Sequence, residues 1–411
     1  MRRRSLLITS LAAFGLTAFG GLTSCGSPDT PAGPPLPPDP RPAAATFAAR
    51  LMGALLLPGQ NHLSSPASIL LALGLLRPGA SGTVAEELDE VLGVSGREEW
   101  EAWAEQTIET LGSRSGTFTE AEVTKQVTLR IAQAAFAAVG LQLKPDYVAS
   151  ITERLDATVA EVDFTRPDDA AHTINQWADE HTDGQIDQIL DAGQIDPGTV
   201  LMLANALHLA AHWRREMAIE PTPSTPFIRE DGSVVNVRMM SDTVNGWYAD
   251  EQMDAALIPF VGERLAMAVA LPRTSDWAAL MTDWAGGGLD AMLSGFDLGQ
   301  PVSLSMPSWT MDWSDNLNKA LMELGLGSLF RAAGDLSGIA DGGISVDQVV
   351  HRAVMAVDEY GVVASAVTAI AIATSAPVEP KELRLDRPFA FVIFDTETRL
   401  PLFIGRLSDP H

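Results

Sequence analysis

The chain has 411 residues, enough for a large hydrophobic core and, on length alone, for two or three domains. Hydrophobic residues make up 46% of it and charged residues 19%, the composition of an ordinary globular protein. The net charge is −26, because 53 Asp and Glu face 27 Lys and Arg, and this argues against nucleic acid or anionic lipid head groups as partners.

The first 25 residues follow an export pattern. Three arginines at positions 2–4 precede an apolar stretch, Leu6 to Leu22, which is near the lower length limit for spanning a bilayer and favours a signal peptide over residues 1–24. The stretch ends in Leu-Thr-Ser-Cys25, which resembles the bacterial lipobox, where the cysteine is lipidated and becomes the first mature residue. The adjacent arginines also resemble a twin-arginine signal, and the choice between this route and general secretion stays open. Cys25 is the only cysteine, so an intramolecular disulfide is impossible.

A proline-rich segment follows Cys25, with eight prolines between Pro28 and Pro42. Such a segment favours extended polyproline II, at about 3.1 Å per residue, and could reach on the order of 50 Å. We interpret residues 25–45 as a tether between a membrane and a folded body, with a ligand for a proline-binding module as the alternative. The protein is therefore expected to be exported, either to the outer face of a bacterial cell membrane through lipid on Cys25 or to the extracellular medium.

From Thr46 onward, helix signals dominate first and strand signals later. An amphipathic helix with Thr46 as its cap is predicted first, and a buried helix, a turn at Gly79 to Gly82 and a helix capped by Thr83 follow. Further on, "INQWADEHTDGQIDQIL" predicts a helix ending near Gly184, "VLMLANALHLAAHW" a strand buried on both faces, and "LNKALMELGLGSLF" a helix. Hairpins are predicted in "PFIREDGSVVNVRMM", "AALIPFVGERLAMAVALP" and "PFAFVIFDTETRLPLFIGRL". This order indicates an α+β protein without internal repeats.

Enzyme motifs are absent from the sequence. It contains no G-x-S-x-G, HExxH, Walker loop or G-x-G-x-x-G after a strand. His208 and His212 have the spacing of metal ligands on a helix, but in a strand four residues span roughly 13 Å, which is too far to share one ion. No metal, cofactor or catalytic residue is expected.

The most informative segment is Gly361 to Val378, eighteen consecutive residues without a charge. It is too short to span a membrane, lacks the polar face of an amphipathic helix, and has no proline before Pro377. As a strand it could be buried on both faces, yet it is far longer than the usual five or six residues. An uncovered strand of this kind aggregates unless it is held apart or has a place to insert.

Five blocks of the sequence resemble the serpin family of serine-protease inhibitors. "VVHRAVMAVDEYGVVASA" resembles the serpin hinge, and "RPFAFVIFDTETRLPLFIGRLSDP" resembles the closing signature of the family. Three further blocks also resemble the family. They are Asn61 with Ser65-Pro66, Ser68-Ile69, Gly79-Ala80 and Gly82-Thr83; the pair Asn205 and Trp213; and "LGLGSLFRAAGDLSGIA". The resemblance extends from Thr46 to His411 and implies one domain there, with about nine helices, a five-stranded main sheet, two smaller sheets and an exposed reactive-centre loop.

The resemblance implies suicide inhibition and assigns roles to individual residues. A target protease attacks the loop and forms an acyl-enzyme, and the cut loop then inserts into the main sheet and traps the ester. Counting from hinge residue Glu359 places the cleaved bond between Ser375 and Ala376, whereas counting back from Pro388 places it about two residues later. The inserted hinge positions are Gly361, Val362, Val363, Ala364, Ser365, Ala366, Val367 and Thr368, of which Val367 is bulkier than usual. The polar cluster beneath the opening of the sheet (the shutter) comprises Ser65, Ser68, Asn205 and His351, and Trp213 lies at the point where the loop enters (the breach).

The small residues from Ala373 to Ala376 favour an elastase-like or subtilisin-like target over a trypsin-like one, since Lys and Arg are missing near the bond. The expected partner is such a serine protease, bound covalently by a monomer. The alternatives are a non-inhibitory serpin-fold binding protein that is cleaved as a simple substrate and, more distantly, a hydrolase. For the serine residues of the shutter, a helix-capping or core role is the competing interpretation, and Trp213 could be an ordinary core residue.

Overall fold

A computed structural model describes residues 41–120, 123–182, 184, 186–219, 224–331, 335–342, 344, 346–347, 349–362 and 379–411. Its helices are α1 (Arg41–Leu55), α2 (Pro66–Gly74), α3 (Gly82–Leu92), α4 (Arg97–Gly112), α5 (Pro145–Glu153), α6 (Pro167–His181), α7 (Trp277–Asp283), α8 (Leu289–Ser294) and α9 (Asn318–Glu323). A π-type turn, Trp284–Gly288, joins α7 to α8. In the part of the chain described here, no helix is long and apolar enough to cross a bilayer.

The strands alternate with these helices in the first half of the chain and dominate the second half. They are β1 (His62–Ser64), β2 (Gly116–Glu120), β3 (Val123–Ala138), β4 (Ala157–Val162), β5 (Leu201–His212), β6 (Ala218–Ile219), β7 (Thr225–Ile228), β8 (Val234–Val237), β9 (Met239–Ala249), β10 (Met253–Pro259), β11 (Leu265–Pro272), β12 (Asp297–Pro307), β13 (Trp309–Asn316), β14 (Val350–Val357), β15 (Gly361–Val362), β16 (Lys381–Arg384), β17 (Phe389–Asp395) and β18 (Pro401–Leu407). The α+β class is confirmed.

The sheet that carries the hinge has the strand order β13-β14-β15-β5-β3-β2, with β4 paired in parallel to β3. Five long strands, β13, β14, β5, β3 and β4, correspond to the expected five-stranded main sheet. Two short strands extend it: β2 folds back on the start of β3, and β15 lies between β14 and β5. Because β14 and β5 are each antiparallel to β15, they run parallel to one another.

The remaining strands form two further sheets: a continuous one of nine strands and the separate hairpin β7–β8. The continuity comes from β9, which pairs with β10 at one end and with β12 along most of its length. The predicted hairpins β7–β8, β10–β11 and β17–β18 are all present.

The helix that supports the main sheet from below is α2. All of its nine residues are buried, and it packs against β5 and β18. Ser65 caps it by accepting a hydrogen bond from the backbone N–H of Ser68 at 3.3 Å, and Pro66 occupies the first helical position, where a missing N–H costs nothing. An apolar helix beginning with a polar cap therefore places two serine side chains under the main sheet.

Two predicted helix starts differ from the structure. The first helix already begins at Arg41, five residues before Thr46, and Ser81 rather than Thr83 precedes α3. In both cases the polar residue chosen from the sequence lies inside the helix, because residues on its N-terminal side also adopt helical geometry. Boundaries of this kind depend on the backbone, which a cap-like residue type alone does not specify.

Candidate functional site

The hinge forms a tight turn between β14 and β15. The Asp358 carboxylate accepts hydrogen bonds from the backbone N–H groups of Tyr360 at 2.8 Å and Gly361 at 3.1 Å. The carbonyl of Glu359 accepts a bond from the N–H of Met217 at 2.9 Å, and that of Tyr360 accepts one from Trp213 at 2.8 Å. The turn is thus held from within and from the segment that follows β5.

Gly361 is the point of closest approach between the hinge and β5. It pairs with His212, and Val362 pairs with Ala211 on β5 and with Val357 on β14. A Cβ atom added at Gly361 would lie 2.1 Å from the carbonyl oxygen of Ala211, so only glycine fits there without a shift of the backbone. Val362 is fully buried between the two strands. The chain beyond the hinge therefore starts its course as a strand between β14 and β5.

Trp213 packs under this turn. Its ring is fully buried and stacks on Phe260 with the ring centroids 4.6 Å apart, and its indole Nε1 donates to the carbonyl of Asp358 at 2.9 Å. The Trp213 carbonyl in turn accepts a bond from Nζ of the buried Lys125 at 3.1 Å. The side chain and backbone of Trp213 together bind the hinge turn to β5 and to the start of β3.

The shutter residues meet at the N-terminus of α2, where they form two separate pairs. The backbone N–H of Ser65 donates to Nε2 of His351 on β14 at 3.0 Å, and its Oγ donates to the carbonyl of Leu402 at 2.6 Å. The hydroxyl of Ser68 donates to Oδ1 of Asn205 on β5. One helix turn thus binds both strands that flank the hinge, each through a different residue.

The position between β5 and β14 is called the insertion lane below. Among the described residues these two strands are not hydrogen-bonded to each other: β14 pairs with β13 and β15, and β5 pairs with β3 and β15. Beneath the lane, a small cavity of about 20 Å³ lies between α2, β5 and β14, with Asn205 and His351 in its wall. In the part of the chain that is described, Nδ2 of Asn205 has no hydrogen-bond partner, and the cavity has room for about one water molecule.

His351 is neutral in this arrangement. Its Nε2 accepts a hydrogen bond, so the proton of the neutral ring is on Nδ1, and complete burial lowers the pKa of His351 to about 4. A second buried histidine, His62 on β1, also contacts Trp313, whose ring centroid is 4.7 Å from that of His62 and 6.2 Å from that of His351. Burial is the main cause that lowers the pKa of His62 to about 3, and the positive charges of Arg406 and of His351, once His351 is protonated in acid, add to it.

Sequence reasoning missed His62 and Lys125. Neither residue belongs to a motif, and each acquires its role from a strand pairing that is distant in sequence. The other histidines singled out, His208 and His212, both lie on β5. Across the described residues, no group of three or more His, Cys, Asp or Glu side chains is placed to hold a metal ion.

Several predicted positions lie outside the described residues: Cys25, Val363, Ala364, Ser365, Ala366, Val367, Thr368, Ser375 and Ala376. Their assignments stay predictions. The described part of the site is therefore the entrance to the main sheet, comprising the hinge, Trp213 and the cluster below the lane. Its chemistry is hydrogen bonding and strand pairing, and Gly361 and Val362 already pair with strands of the main sheet.

Comparison with known proteins agrees with this geometry. The family model described as serpin (serine protease inhibitor) matches residues 42–410. An uncharacterized serpin-like protein of Thermococcus kodakarensis is 30% identical over 85% of this chain and 81% of its own length. Leukocyte elastase inhibitor of Bos taurus is 30% identical over 86% of this chain and 94% of its own length.

The solved structures include a similar one, the thermophilic serpin tengpin in its native state. It superimposes with a TM-score of 0.79 and 25% identity, over 90% of this chain and 94% of its own length. The family match covers nearly all of the described residues, the main sheet has the five long strands that the resemblance implies, and a relative is 30% identical over most of the chain. This chain therefore belongs to the serpin family.

Proposed function

We propose that this protein is an inhibitory serpin that traps a serine protease by loop cleavage and loop insertion. The serine Oγ of the protease attacks the carbonyl carbon of Ser375, the bond to Ala376 breaks, and the amine of Ala376 leaves as a new N-terminus. The product is an ester between the protease and Ser375. Insertion of the cut loop into the lane then carries the ester away from the geometry that hydrolysis requires.

The observation that carries this proposal is the position of β15. Gly361 and Val362 pair with β5 on one side, and Val362 pairs with β14 on the other, so the loop begins inside the main sheet. The sixteen residues that follow, 363–378, contain no charged side chain and no proline before Pro377. Since burying a charge or losing a ladder donor would oppose insertion, this composition favours an inhibitor over a simple substrate.

The proposed targets are elastase-like or subtilisin-like proteases. Small residues from Ala373 to Ala376 fit first pockets that are shallow or apolar, and a trypsin-like pocket would lack the basic residue that it binds. A relative with 30% identity is named leukocyte elastase inhibitor, which supports the same class. Counting back from Pro388 would move the cleaved bond about two residues towards Pro377.

The site of action is proposed to be the outside of the cell. The export pattern over residues 1–24, the single Cys25 and the proline-rich tether together support a lipid-anchored inhibitor on the outer face of a bacterial membrane. Metabolic labelling with a fatty acid tests this: wild type should incorporate the label and Cys25→Ser should not.

A denaturing gel tests the inhibitory mechanism. Wild type is incubated with subtilisin or elastase, and a band at the summed mass that survives denaturation is expected, with mass spectrometry placing the cut next to Ser375. The matched control is Val362→Glu, which puts a charge at a fully buried hinge position and should be cleaved without forming the band. Cleavage of wild type with release of active protease would instead support the non-inhibitory alternative.

A further inference from the structure

Apolar side chains are exposed at the hairpin β7–β8. Ile228 and Val234 are 49% and 58% exposed and lie directly opposite each other on β7 and β8, so their side chains form one apolar spot. Leu57, in the loop that follows α1, is 55% exposed, and Pro58 and Pro226 are exposed beside these residues. Leu57, Pro58, Pro226, Ile228 and Val234 are called the apolar face below.

The loop and the hairpin that carry the apolar face are bound to each other. The backbone N–H of Gly59 donates to Oε2 of Glu230, in the turn of the hairpin, at 2.6 Å. The buried Arg406 of β18 donates through Nη2 to the carbonyls of Leu57 and Gln60, and its Nη1 lies 3.7 Å from Oε2 of Glu230. The apolar face is therefore a single surface whose two parts are held together by hydrogen bonds.

The charges around the apolar face are nearly balanced, although the net charge of the whole chain is −26. Three arginine–carboxylate pairs border it: Arg229 with Asp409 at 2.8 Å, Arg387 with Asp386 at 3.5 Å, and Arg406 with Glu230. Asp386 lies against the hairpin, because its carbonyl accepts the N–H of Ile228 at 2.8 Å. Asp231, in the turn, adds one further carboxylate. This part of the surface should therefore be repelled by anionic head groups less than the rest of the molecule.

The position of the apolar face suits contact with the membrane that the tether is proposed to join. Leu57 follows the last residue of α1, Leu55, by two positions, and α1 has 15 residues, which gives a length of about 22 Å. The sixteen residues that precede α1, 25–40, could reach on the order of 50 Å at about 3.1 Å per residue. Because the tether is longer than the helix, a body attached through Cys25 can turn the apolar face towards the bilayer.

We propose that the apolar face docks on the lipid bilayer to which Cys25 is anchored. Its side chains exchange water for the boundary between head groups and acyl chains, which is favourable for apolar surface. A face of this size is too small to hold a free protein on a membrane. An anchored protein, however, meets lipid at a high effective concentration, so a weak second contact suffices. This inference rests on the proposed function, because it takes Cys25 as the site of the anchor.

Chemical coupling tests the docking without relying on lipidation in cells. The predicted mature chain, residues 25–411, contains every residue that the structure describes, and Cys25 is its only cysteine. It is coupled through Cys25 to a maleimide lipid in phosphatidylcholine vesicles, and the reference is the same chain capped with a soluble maleimide and mixed with the same vesicles. Hydrogen exchange at residues 57–60 and 226–236 should slow by about threefold or more in the coupled chain only.

Leu57→Gln, Ile228→Thr and Val234→Thr together form the test variant. Glutamine keeps the length of leucine, and threonine keeps the β-branched shape that suits a strand, so the fold should be retained. The matched control carries the same kinds of substitution at other exposed apolar positions, Val139→Thr and Leu298→Gln. Melting of the uncoupled variants checks that each is folded. The test variant should lose the slowed exchange, and the control should keep it.

Three results would overturn the proposal. One is equal exchange in the coupled and the capped wild type, and another is a control that loses the slowed exchange as the test variant does. The third is slowing that grows with the number of chains per vesicle, which would make a second copy of this chain the occupant of the apolar face. Failure of the proposed function looks different: a Cys25 that takes up no fatty acid in cells would contradict the anchor, while the coupled chain would still show whether the apolar face binds lipid.

Discussion

At the scale of single residues, Trp213 differs from Trp284 in the partner of its indole N–H. Both side chains are fully buried, but Nε1 of Trp213 donates to the Asp358 carbonyl at 2.9 Å, whereas Nε1 of Trp284 is without a hydrogen-bond partner among the described residues. Changing each to phenylalanine removes a similar volume from the core. Only Trp213→Phe also removes a hydrogen bond, and it leaves the hinge carbonyl unpaired.

We therefore expect Trp213→Phe to lower the free energy of unfolding by about 1 kcal/mol more than Trp284→Phe. Urea unfolding of the two variants, followed by far-ultraviolet circular dichroism, measures the difference. The hinge should also lose order, so hydrogen exchange at Tyr360 should rise in Trp213→Phe alone. Equal losses in the two variants would mean that the bond from Trp213 contributes nothing to holding the turn.

His62 and His351 make stability depend on pH. In the unfolded chain a histidine takes up a proton below about pH 6.5, but in the folded protein these two stay neutral until about pH 3 and about pH 4. Stability from both is thus complete above pH 6.5 and is lost as the pH falls towards those values. The charges that act on His62 are positive, those of Arg406 and of protonated His351, and both oppose a proton on its ring.

When the pH falls from 7 to 5, His62 and His351 should each lower the free energy of unfolding by about 2 kcal/mol, because each takes up a proton only in the unfolded chain. His62→Leu removes one of the two titrating groups and should therefore lose about 2 kcal/mol less than wild type over that range. His172 lies on the exposed face of α6, and His172→Gln is the control that should follow wild type. The stabilities are measured by urea unfolding at both pH values, and parallel curves for wild type and His62→Leu would contradict the argument.

At the scale of elements, the two-residue strand β15 is the place where the loop joins the main sheet, so a change there should affect both stability and complex formation. Gly361→Ala places a methyl group 2.1 Å from the Ala211 carbonyl, so β15 must move away from β5. We expect a loss of roughly 1–3 kcal/mol in stability and a smaller fraction of covalent complex on denaturing gels. Gly286→Ala, in the turn between α7 and α8, has open space for its methyl group and should change neither quantity. A Gly361→Ala variant that traps protease like wild type would show that this pairing is dispensable.

The elements themselves were predicted well where the pattern is local. The doubly buried strand β5 and the hairpins were readable because apolar periodicity and a polar turn specify them. The pairing of β2 with β3 and the start of α1 at Arg41 were not, since neither has a distinctive pattern. Of the site, the family resemblance supplied Ser65, Ser68, Asn205 and His351, but not that they form two pairs on opposite sides of the lane. The hydrogen bond from Arg352 to the carbonyl of Gln188, 164 positions away, could not be predicted, because every residue has a backbone carbonyl and no residue type marks this one as the acceptor.

At the scale of the whole molecule, the site is assembled from distant parts of the chain around one strand position. The first turn of α2 binds both flanking strands from below, Arg352 of β14 binds the carbonyl of Gln188 in the segment before β5, and Trp213 binds the hinge turn. Each contact is a hydrogen bond to a strand or its turn, and such bonds can be exchanged without unfolding the apolar core. If the proposed mechanism holds, we expect a sheet held in this way to change its strand spacing while its other layers stay packed.

The surface charge of the whole molecule should oppose its compact state. With a net charge of −26, we expect the repulsion between like charges to exceed the attraction within scattered ion pairs. This repulsion is largest at low ionic strength, because the Debye length is about 30 Å at 0.01 M salt and about 8 Å at 0.15 M. We expect the unfolding midpoint at pH 7 to rise when sodium chloride is raised from 0.01 to 0.15 M, by about 2 °C for each kcal/mol of repulsion removed. Near pH 4.5, the isoelectric point of the sequence, the same salt step should have little effect, because the net charge is close to zero. A midpoint that falls with salt at pH 7 would mean that ion pairs such as Arg352 with Asp312 outweigh the net repulsion.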